Sequence, residues 1–371
     1  MAKTIRNLDV FRMLEEWAPK HLAYDWDNVG MQLGSLSKPV RKIMVTLDVL
    51  ESVVEEAIEN NVDLIIAHHP LFFKSIKQVN VESPQGRIIQ KLIQNDITVY
   101  AAHTNLDVAD GGVNDMLCDI LELNTKEVLI ESHREKLVKV AVYVPDTHST
   151  EVREALSNSG AGHIGNYSHC TFQTPGKGSF KPLEGSNPYI GQANELEMVE
   201  EVKIETIVPE SILPSVLNAM ENAHPYDEVA YDVYPMEIQG EATGIGRIGL
   251  LENSMTLESF CEHVKNKLNV PNVRVTGNLK AKVKNVAILG GSGEKYIYDA
   301  LNKGADVYVT GDMTFHVAQD AWQMGLSVID PGHHVEKVMK QATKHYLDQK
   351  LQQHNVDVLV SHANTEPFRF I

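Results

Sequence analysis

The sequence predicts an α/β protein with mainly parallel sheets, interrupted part-way along by a ferredoxin-like α+β insertion. Three observations carry that prediction. Short, mostly apolar runs near residues 43–47, 62–67, 97–102, 286–289 and 306–309 read as strands covered on both faces. Amphipathic stretches lie between them, which is the βαβ grammar of a parallel sheet. From about residue 126 to 243 the grammar changes to longer runs of alternating apolar and polar residues, the mark of half-buried strands. Halves of one grammar therefore flank a module of another. The expected organisation is a discontinuous α/β domain over 1–125 and 244–371, with an inserted domain over 126–243.

At 371 residues the chain has room for two or three domains, and its 43% hydrophobic and 22% charged content is that of a globular protein. Fifty acidic residues against 33 basic ones leave a formal net charge of −17, which argues against a nucleic-acid or anionic-membrane surface. No apolar run approaches the ~20 residues of a membrane-spanning helix. The opening residues MAKTIRNLDVFRMLEEW lack a signal-peptide core, so a cytoplasmic location is expected. The three cysteines, Cys118, Cys170 and Cys261, form no CxxC pair, so neither a disulfide framework nor a thiolate zinc site is expected.

In chain order, Leu8, Phe11, Met13, Leu14 and Trp17 predict an amphipathic helix, stopped by Pro19. The polar and aromatic loop Tyr24-Asp-Trp-Asp-Asn-Val-Gly30 follows, whose two aspartates suit turn chemistry as well as a cleft wall. The strand at 43–47 and a helix at 51–60 lead to the strand 62–67, which ends abruptly in His68-His69-Pro70. Pro70 cannot donate to a ladder, so the strand stops there. Both histidines then sit at its carboxyl end, where open α/β sheets place their ligands. A helix over 84–95 and the strand 97–102 deliver His103-Thr-Asn-Leu-Asp107 in the same way, and Gly111-Gly112 breaks the chain before a helix over 113–123. Inside the insertion the order is strand 136–144, helix 150–158, a Gly-rich stretch 160–181, strand 195–207, helix 211–223 and strand 228–234. That order is a split βαβ if the Gly-rich stretch holds one more strand. The alternative is an ordered loop at a subunit contact. After Gly244, strands at 248–251 and 286–289 bracket a helix over 257–268. The strand 306–309 ends in Thr310-Gly-Asp312, a helix spans 315–324, and the strand 326–329 ends in Asp330-Pro-Gly-His-His-Val-Glu336. A long helix to about 353 and a strand over 356–360 close the chain.

Buried strands thus deliver imidazole or carboxylate groups at three ends: His68-His69, His103 with Asp107, and His333-His334 with Glu336. The break at Pro331-Gly332 starts a helix that puts His333 and Glu336, three apart, on one face. Each piece alone has a bland reading, because Asp caps helices and His packs in loops. Together they make a nitrogen and oxygen ligand set suited to Zn, Mn, Fe or Co. Asp107 and Glu336 are candidate bridging carboxylates, the device that holds two ions roughly 3.5–4 Å apart in dinuclear hydrolases. His103 and His316 are candidate proton carriers, with a helix-packing role also open to His316. Gly290-Gly-Ser-Gly293 lacks the Walker lysine and the full dinucleotide fingerprint, so a tight turn is expected. His224-Pro-Tyr226 is expected to shape a turn.

Four motifs, D-L-I-I-A-H-H-P-L-F-F, A-A-H-T-N-L-D-V-A-D-G-G-V-N-D, T-G-D-M-T-F-H and G-H-H-V-E, together resemble the Nif-three-like family, whose bacterial members include GTP cyclohydrolase type 2 homologs. The resemblance covers both outer segments, with motifs from Asp25 to Glu336. It implies a Nif-like α/β fold, a toroidal homohexamer and a site for two divalent metal ions in each subunit, Zn first, with Fe or Mn as alternatives. By motif position, His69, Asp107 and Glu336 would hold one ion, and His68, His333 and again Glu336 the other. His334 is the ambiguous neighbour, since many relatives space the ligand His and Glu by four residues and this chain by three. The central segment, with H-I-G-N-Y and H-P-Y-D-E-V-A-Y, resembles the CutA- or PII-like insertion of longer members, expected to cover the mouth of the ring. The implied activity is metal-dependent hydrolysis of a nucleotide-like small molecule, with GTP cyclohydrolysis as the family's own example. Two other readings stay open at this point: a non-catalytic metal-binding regulatory or scaffold hexamer, and a metal-dependent phosphoesterase.

Overall fold

Residues 64–67 form a strand in which every side chain is buried, and the sheet built around it organises one of the two units of the chain. The structure is a computed structural model describing residues 4–369 and 371. One unit holds the residues up to Ser132 and from Thr243 onward; the other is His133–Ala242.

The chain opens with α1 (Asn7–Trp17), whose Asp9 accepts a 2.9 Å hydrogen bond from the Arg6 N–H and so caps the helix start. It continues through β1 (Gly30–Leu33), β2 (Lys42–Thr46), α2 (Glu51–Glu59), β3 (Leu64–Ala67), α3 (Pro84–Gln94), β4 (Thr98–Ala101), α4 (Thr104–Val108) and α5 (Val113–Ile120). It enters the second unit within β5 (Leu123–Pro145), which is followed by α6 (Ser149–Asn158), β6 (Thr171–Phe180), β7 (Glu197–Pro209) and α7 (Leu213–Ala223). It returns within β8 (Tyr231–Thr256) to α8 (Leu257–Leu268), β9 (Arg274–Thr276), β10 (Lys282–Ser292), α9 (Ile297–Asn302) and β11 (Val307–Gly311). Last come α10 (Phe315–Gln323), β12 (Ser327–Asp330), α11 (Val338–Lys350) and β13 (Asp357–Val360).

In the first unit one sheet runs β1-β4-β3-β2-β13 and is parallel except at β1. The other runs from the C-terminal half of β8 through β10, β11 and β12 to β9, parallel at its centre and antiparallel at both edges. Ala67 lies opposite both Thr46 and Ala101, so β2, β3 and β4 end at one level and release Asp48, His68 and His103 at the same end. One core joins Ile43, Val45 and Leu64 of the first sheet to Val286, Ile288 and Val307 of the second, with Val113 and Leu117 of α5 and Met339 and Leu347 of α11. Burial on both faces explains why these strands read as mostly apolar runs.

The second unit has the order β6-β7-β5-β8 with α6 and α7, a split βαβ arrangement. Val138, Val140, Val142 and Val144 alternate inward along β5 and meet Ile204 of β7, Leu156 of α6 and Met220 of α7. The Gly-rich stretch supplies the missing strand, β6, paired antiparallel with β7 from Thr171 opposite Thr206 to Phe180 opposite Glu197. Pro175 is tolerated there because β6 lies at the edge of the order.

Three features depart from the sequence expectation. β5 and β8 run on through polar, exposed residues such as Glu131–Glu135 and 237–241, where no apolar alternation marks a strand. β1 and β9 are short antiparallel edges that carry no such pattern either. The helix expected from His333 begins as a tight turn over His333–Lys337 and becomes α-helical only at Val338. Among the described residues no helix is long and apolar enough to cross a membrane.

A buried ion pair locks the first unit. Arg247 of β8 donates to both carboxylate oxygens of Asp115 on α5 (3.0 and 2.8 Å) and to the carbonyls of Gly244 and Gly246, both at 2.9 Å. Asp115→Ala strands that guanidinium, and we expect a loss of about 3–5 kcal/mol. A urea midpoint equal to that of the parent chain would contradict it.

Candidate metal centre

The centre is assembled at the carboxyl ends of strands from both sheets of the first unit. The backbone N–H groups of His68 and His69 donate to the carbonyls of Thr46 (3.2 Å) and Leu47 (2.9 Å), so β2 fixes the direction in which each ring leaves. The His68 Nδ1–H donates to the Ala102 carbonyl at 2.8 Å, and since a carbonyl only accepts, Nε2 is the nitrogen that faces inward, as a lone pair when the ring is neutral. Asp48, two residues past β2, holds His69 Nδ1 at 2.6 Å, and Asp312, just past β11, holds His333 Nδ1 at 2.7 Å. Each ring is thus turned by a group behind it, with Nε2 pointing to the centre.

Two sets of atoms converge there. His69 Nε2, His333 Nε2 and Glu336 Oε2 lie 3.1, 3.2 and 3.3 Å from one another. Ligands about 2.0–2.1 Å from a tetrahedral ion stand about 3.3 Å apart, so this triangle has the dimensions of one face of such a site. The second set is His68, Asp107 and Glu336, looser, with His68 Nε2 3.5 Å from Asp107 Oδ1 and 3.8 Å from Glu336 Oε2. Those two separations are too long for hydrogen bonds. His68 Nε2 and Asp107 Oδ1 are both buried without a hydrogen-bond partner, a cost of about 1–3 kcal/mol each that a cation between them would remove. Close backbone completes the cradle. Gly291 has φ +66°, and a Cβ there would stand 2.5 Å from Glu336 Oε1 and 3.3 Å from His333 Nε2. The donor set and the two orphaned atoms fit a bound metal cation.

A fourth imidazole closes one side. His103, at the start of α4, places a ring nitrogen within 4.8 Å of those of His68 and His69, and its Nδ1 is held by Asp27 at 2.9 Å. Asp27 also accepts from the Thr104 N–H (3.1 Å) and hydroxyl (2.5 Å). His69, His103, Asp107, His333 and Glu336 line a cavity of about 1030 Å³ walled by Tyr24, Trp26, Phe73 and Tyr296 among others, with His68 buried behind them.

Comparison with known proteins gives the lineage. The family model described as Duf34/NIF3 (NGG1p interacting factor 3) matches residues 5–367. The chain belongs to the DUF34/NIF3 family. It is 52% identical to the GTP cyclohydrolase 1 type 2 homolog of Bacillus subtilis, covering 100% of both chains. A solved Bacillus cereus protein related to NIF3 superimposes with a TM-score of 0.95 at 52% identity, covering 100% of both chains. A Staphylococcus aureus protein of known structure follows at a TM-score of 0.78 and 34% identity over 99% of both.

In this DUF34/NIF3 chain, His68, His69, Asp107, His333 and Glu336 come together, but not in the pairing that motif position implies. His69 groups with His333, and His68 with Asp107, because Asp48 and Asp312 turn the first pair of rings toward each other. His103 lies against the cluster. His316 does not: it is exposed on α10, its Nδ1 3.3 Å from Gln319 and its ring against Phe315. His334 lies in neither set and has Glu366 4.0 Å from its Nδ1. Asp48 went unnoticed in the sequence, and Asp312 was noted only as a strand end. Their signal is the one that found the histidines, a polar residue just beyond an apolar strand.

Burial alone would raise the Glu336 carboxyl, but hydrogen bonds from His333 and His69 and the nearby charge of His68 hold it well below the usual range. Burial opposes the charged form of His69, yet Asp48 and Glu336 outweigh it and lift its pKa to about 10. The hydrogen bond to Glu336 lifts His333 to about 9 against the pull of burial. Asp107, pushed up mainly by burial and also by Glu336 while His68 draws it down, stands at about 6. With no cation present, protons on imidazole neutralise the centre. Their contribution to stability is complete below the ordinary imidazole value of about 6.5 and fades as pH rises through about 9 and about 10. A cation must displace these protons, so uptake of Zn²⁺ at pH 7 should release protons and tighten as pH rises. Calorimetry in buffers of different ionisation enthalpy measures the release, and a value of zero would contradict the assignment.

Proposed function

We propose that this chain is a hydrolase that requires two divalent ions and acts on a nucleotide-like small molecule. One observation carries the reading. A single oxygen, Glu336 Oε2, lies 3.1, 3.2 and 3.8 Å from the inner nitrogens of His69, His333 and His68, so both ligand sets draw on one carboxylate. Shared carboxylates are how dinuclear hydrolytic sites hold their ions together. The name carried by the Bacillus subtilis relative, GTP cyclohydrolase 1 type 2 homolog, points the substrate class toward nucleotides. The cavity volume of about 1030 Å³, with Tyr24, Trp26 and Phe73 in its wall, suits a small molecule with a ring. A homohexameric ring belongs to the same proposal and rests on the sequence resemblance alone; light scattering tests it.

When bound, divalent ions supply Lewis acidity, polarising a substrate oxygen and lowering the pKa of water toward neutrality. The chain's own residues do the remainder. His69, His333 and Glu336 would hold one ion, and His68, Asp107 and Glu336 the other. Asp27 fixes the His103 ring through Nδ1 and leaves Nε2 to accept and return a proton at the cavity wall. Asp48 and Asp312 keep the ligand rings in the one orientation that binds.

Metal analysis of the purified chain should return two ions per subunit, and Glu336→Gln should lose both. His103→Gln should keep the ions and lower kcat by roughly 10²–10⁴-fold. The decisive measurement is turnover of GTP and a panel of phosphoesters by metal-loaded protein. Turnover no greater than that of Glu336→Gln sinks the hydrolase and leaves a metal-binding regulatory protein.

A further inference from the structure

After β13 the chain runs through Ser361–Arg369 without helix or strand, yet its course is fixed. The Glu56 carboxylate of α2 accepts from the Ser361 hydroxyl (2.5 Å) and from the backbone N–H groups of His362 (2.8 Å) and Ala363 (3.2 Å). The Ser361 N–H donates to the Val45 carbonyl (2.9 Å), and Lys340 of α11 donates to the Ser361 carbonyl (3.0 Å). Further along, Glu366 faces His334 at 4.0 Å and accepts the Phe368 N–H at 2.9 Å. Pinned in this way, the five residues from Thr365 to Arg369 form one continuous stretch of the wall of the metal-centre cavity.

The last two of them have no structural employment. Phe368 is 73% exposed, and two other large rings on the same cavity, Trp26 and Phe73, are 60% and 54% exposed. A single exposed ring is ordinary, but three around one cavity make an apolar surface of the kind that marks a ligand site. Arg369 has no ion pair among the described residues. Lys295, likewise exposed on this cavity, lies 4.8 Å from the Tyr296 ring and 6.0 Å from that of Tyr24 and has no carboxylate partner among the described residues. Arg274, a third cation of the wall, is already matched by Asp330. The wall also carries carboxylates, yet in a chain of net charge −17 these two cations stand on the cavity without a carboxylate partner among the described residues, where an anionic group of a ligand would meet them.

We infer that Ser361–Arg369 is a substrate-binding wall of this cavity, in which Arg369 together with Lys295 takes an anionic group of the substrate and Phe368 packs on its ring. The chemical class of the substrate rests on the hydrolase reading above; the wall itself rests on the pinned segment and its two unmatched side chains. Neither residue is a metal ligand or part of the core, so substitution leaves fold and metal content intact. Their contribution is to affinity and selectivity, with the proton chemistry left to His103.

The test uses the metal-loaded full chain with three probes: GTP, inorganic pyrophosphate as charge without ring, and guanosine as ring without charge. Binding is followed by calorimetry in the parent, in Arg369→Gln, in Phe368→Ala and in a chain ending at Glu366, with metal content measured in each. Arg369→Gln is expected to weaken GTP and pyrophosphate at least tenfold and to spare guanosine. Phe368→Ala is expected to weaken GTP and guanosine and to spare pyrophosphate, and the shortened chain to weaken all three. Equal binding by parent and shortened chain, or no binding of any probe to the parent, overturns the wall. Turnover measured alongside keeps the two ideas apart. Weakened binding without parental turnover retains the wall and removes the hydrolase, whereas parental turnover with unchanged binding does the reverse.

Discussion

Everything in the centre depends on keeping one buried carboxylate, Glu336, charged. Removing a carboxylate from water costs several kcal/mol unless charge or hydrogen bonds replace the solvent. Here the replacement comes from three imidazoles, and each of them needs its own support. His69 leans on Asp48, His333 on Asp312 and His68 on the Ala102 carbonyl. The support groups sit just beyond β2, β11 and β4, so the electrostatic requirement of one side chain becomes a requirement on where several strands stop. The level ends of β2, β3 and β4 meet it on one sheet, and Gly291, at φ +66°, meets it on the other by bringing backbone close to Glu336.

That arrangement is electrically frustrated until a cation arrives. His69 and His333 retain protons far above the ordinary imidazole range, while Asp107 is pushed toward neutrality by burial. His68 Nε2 and Asp107 Oδ1 stay without partners, although nine-tenths or more of buried polar groups in folded proteins find one. Ordinary packing does not leave such atoms 3.5 Å apart without hydrogen-bond partners. Both facts have one resolution, since a cation bound among these groups would remove the protons and supply the missing partner together. The looser dimensions of the His68 set against the 3.1–3.3 Å triangle of the His69 set also make the two positions unequal.

How far the sequence could carry this follows from what a sequence encodes. Strands buried on both faces announce themselves as apolar runs, and a histidine or aspartate placed just after one is visible without coordinates. That is why His68, His69, His103, Asp107, His333 and Glu336 were legible, along with the alternation of strands and helices. Ring direction was not legible. Which histidine faces which carboxylate depends on Asp48 and Asp312, and Asp48 looks like any turn aspartate in Thr46-Leu-Asp-Val49. Asp27 suits turn chemistry as well as a cleft wall for the same reason, and His316 follows a strand end as the cavity residues do but points its ring at solvent and Phe315. The polar reaches of β5 and β8 escaped because a strand exposed on both faces has no apolar period to read.

The same device, an aspartate behind an imidazole, occurs three times around this cavity, in Asp48–His69, Asp312–His333 and Asp27–His103. What divides them is the position of the inner nitrogen. His69 and His333 place Nε2 3.1 and 3.2 Å from Glu336 Oε2, whereas His103 belongs to no set that contains Glu336. A ring oriented like a ligand but removed from the shared carboxylate keeps its tautomer and its freedom to exchange a proton. Asp27 is nearly inaccessible to solvent and is held at a pKa of about 2 despite burial, chiefly by His103 and then by Thr104, so it stays anionic behind the ring across the working range. One structural motif therefore stands in two settings, beside Glu336 at His69 and His333 and apart from it at His103.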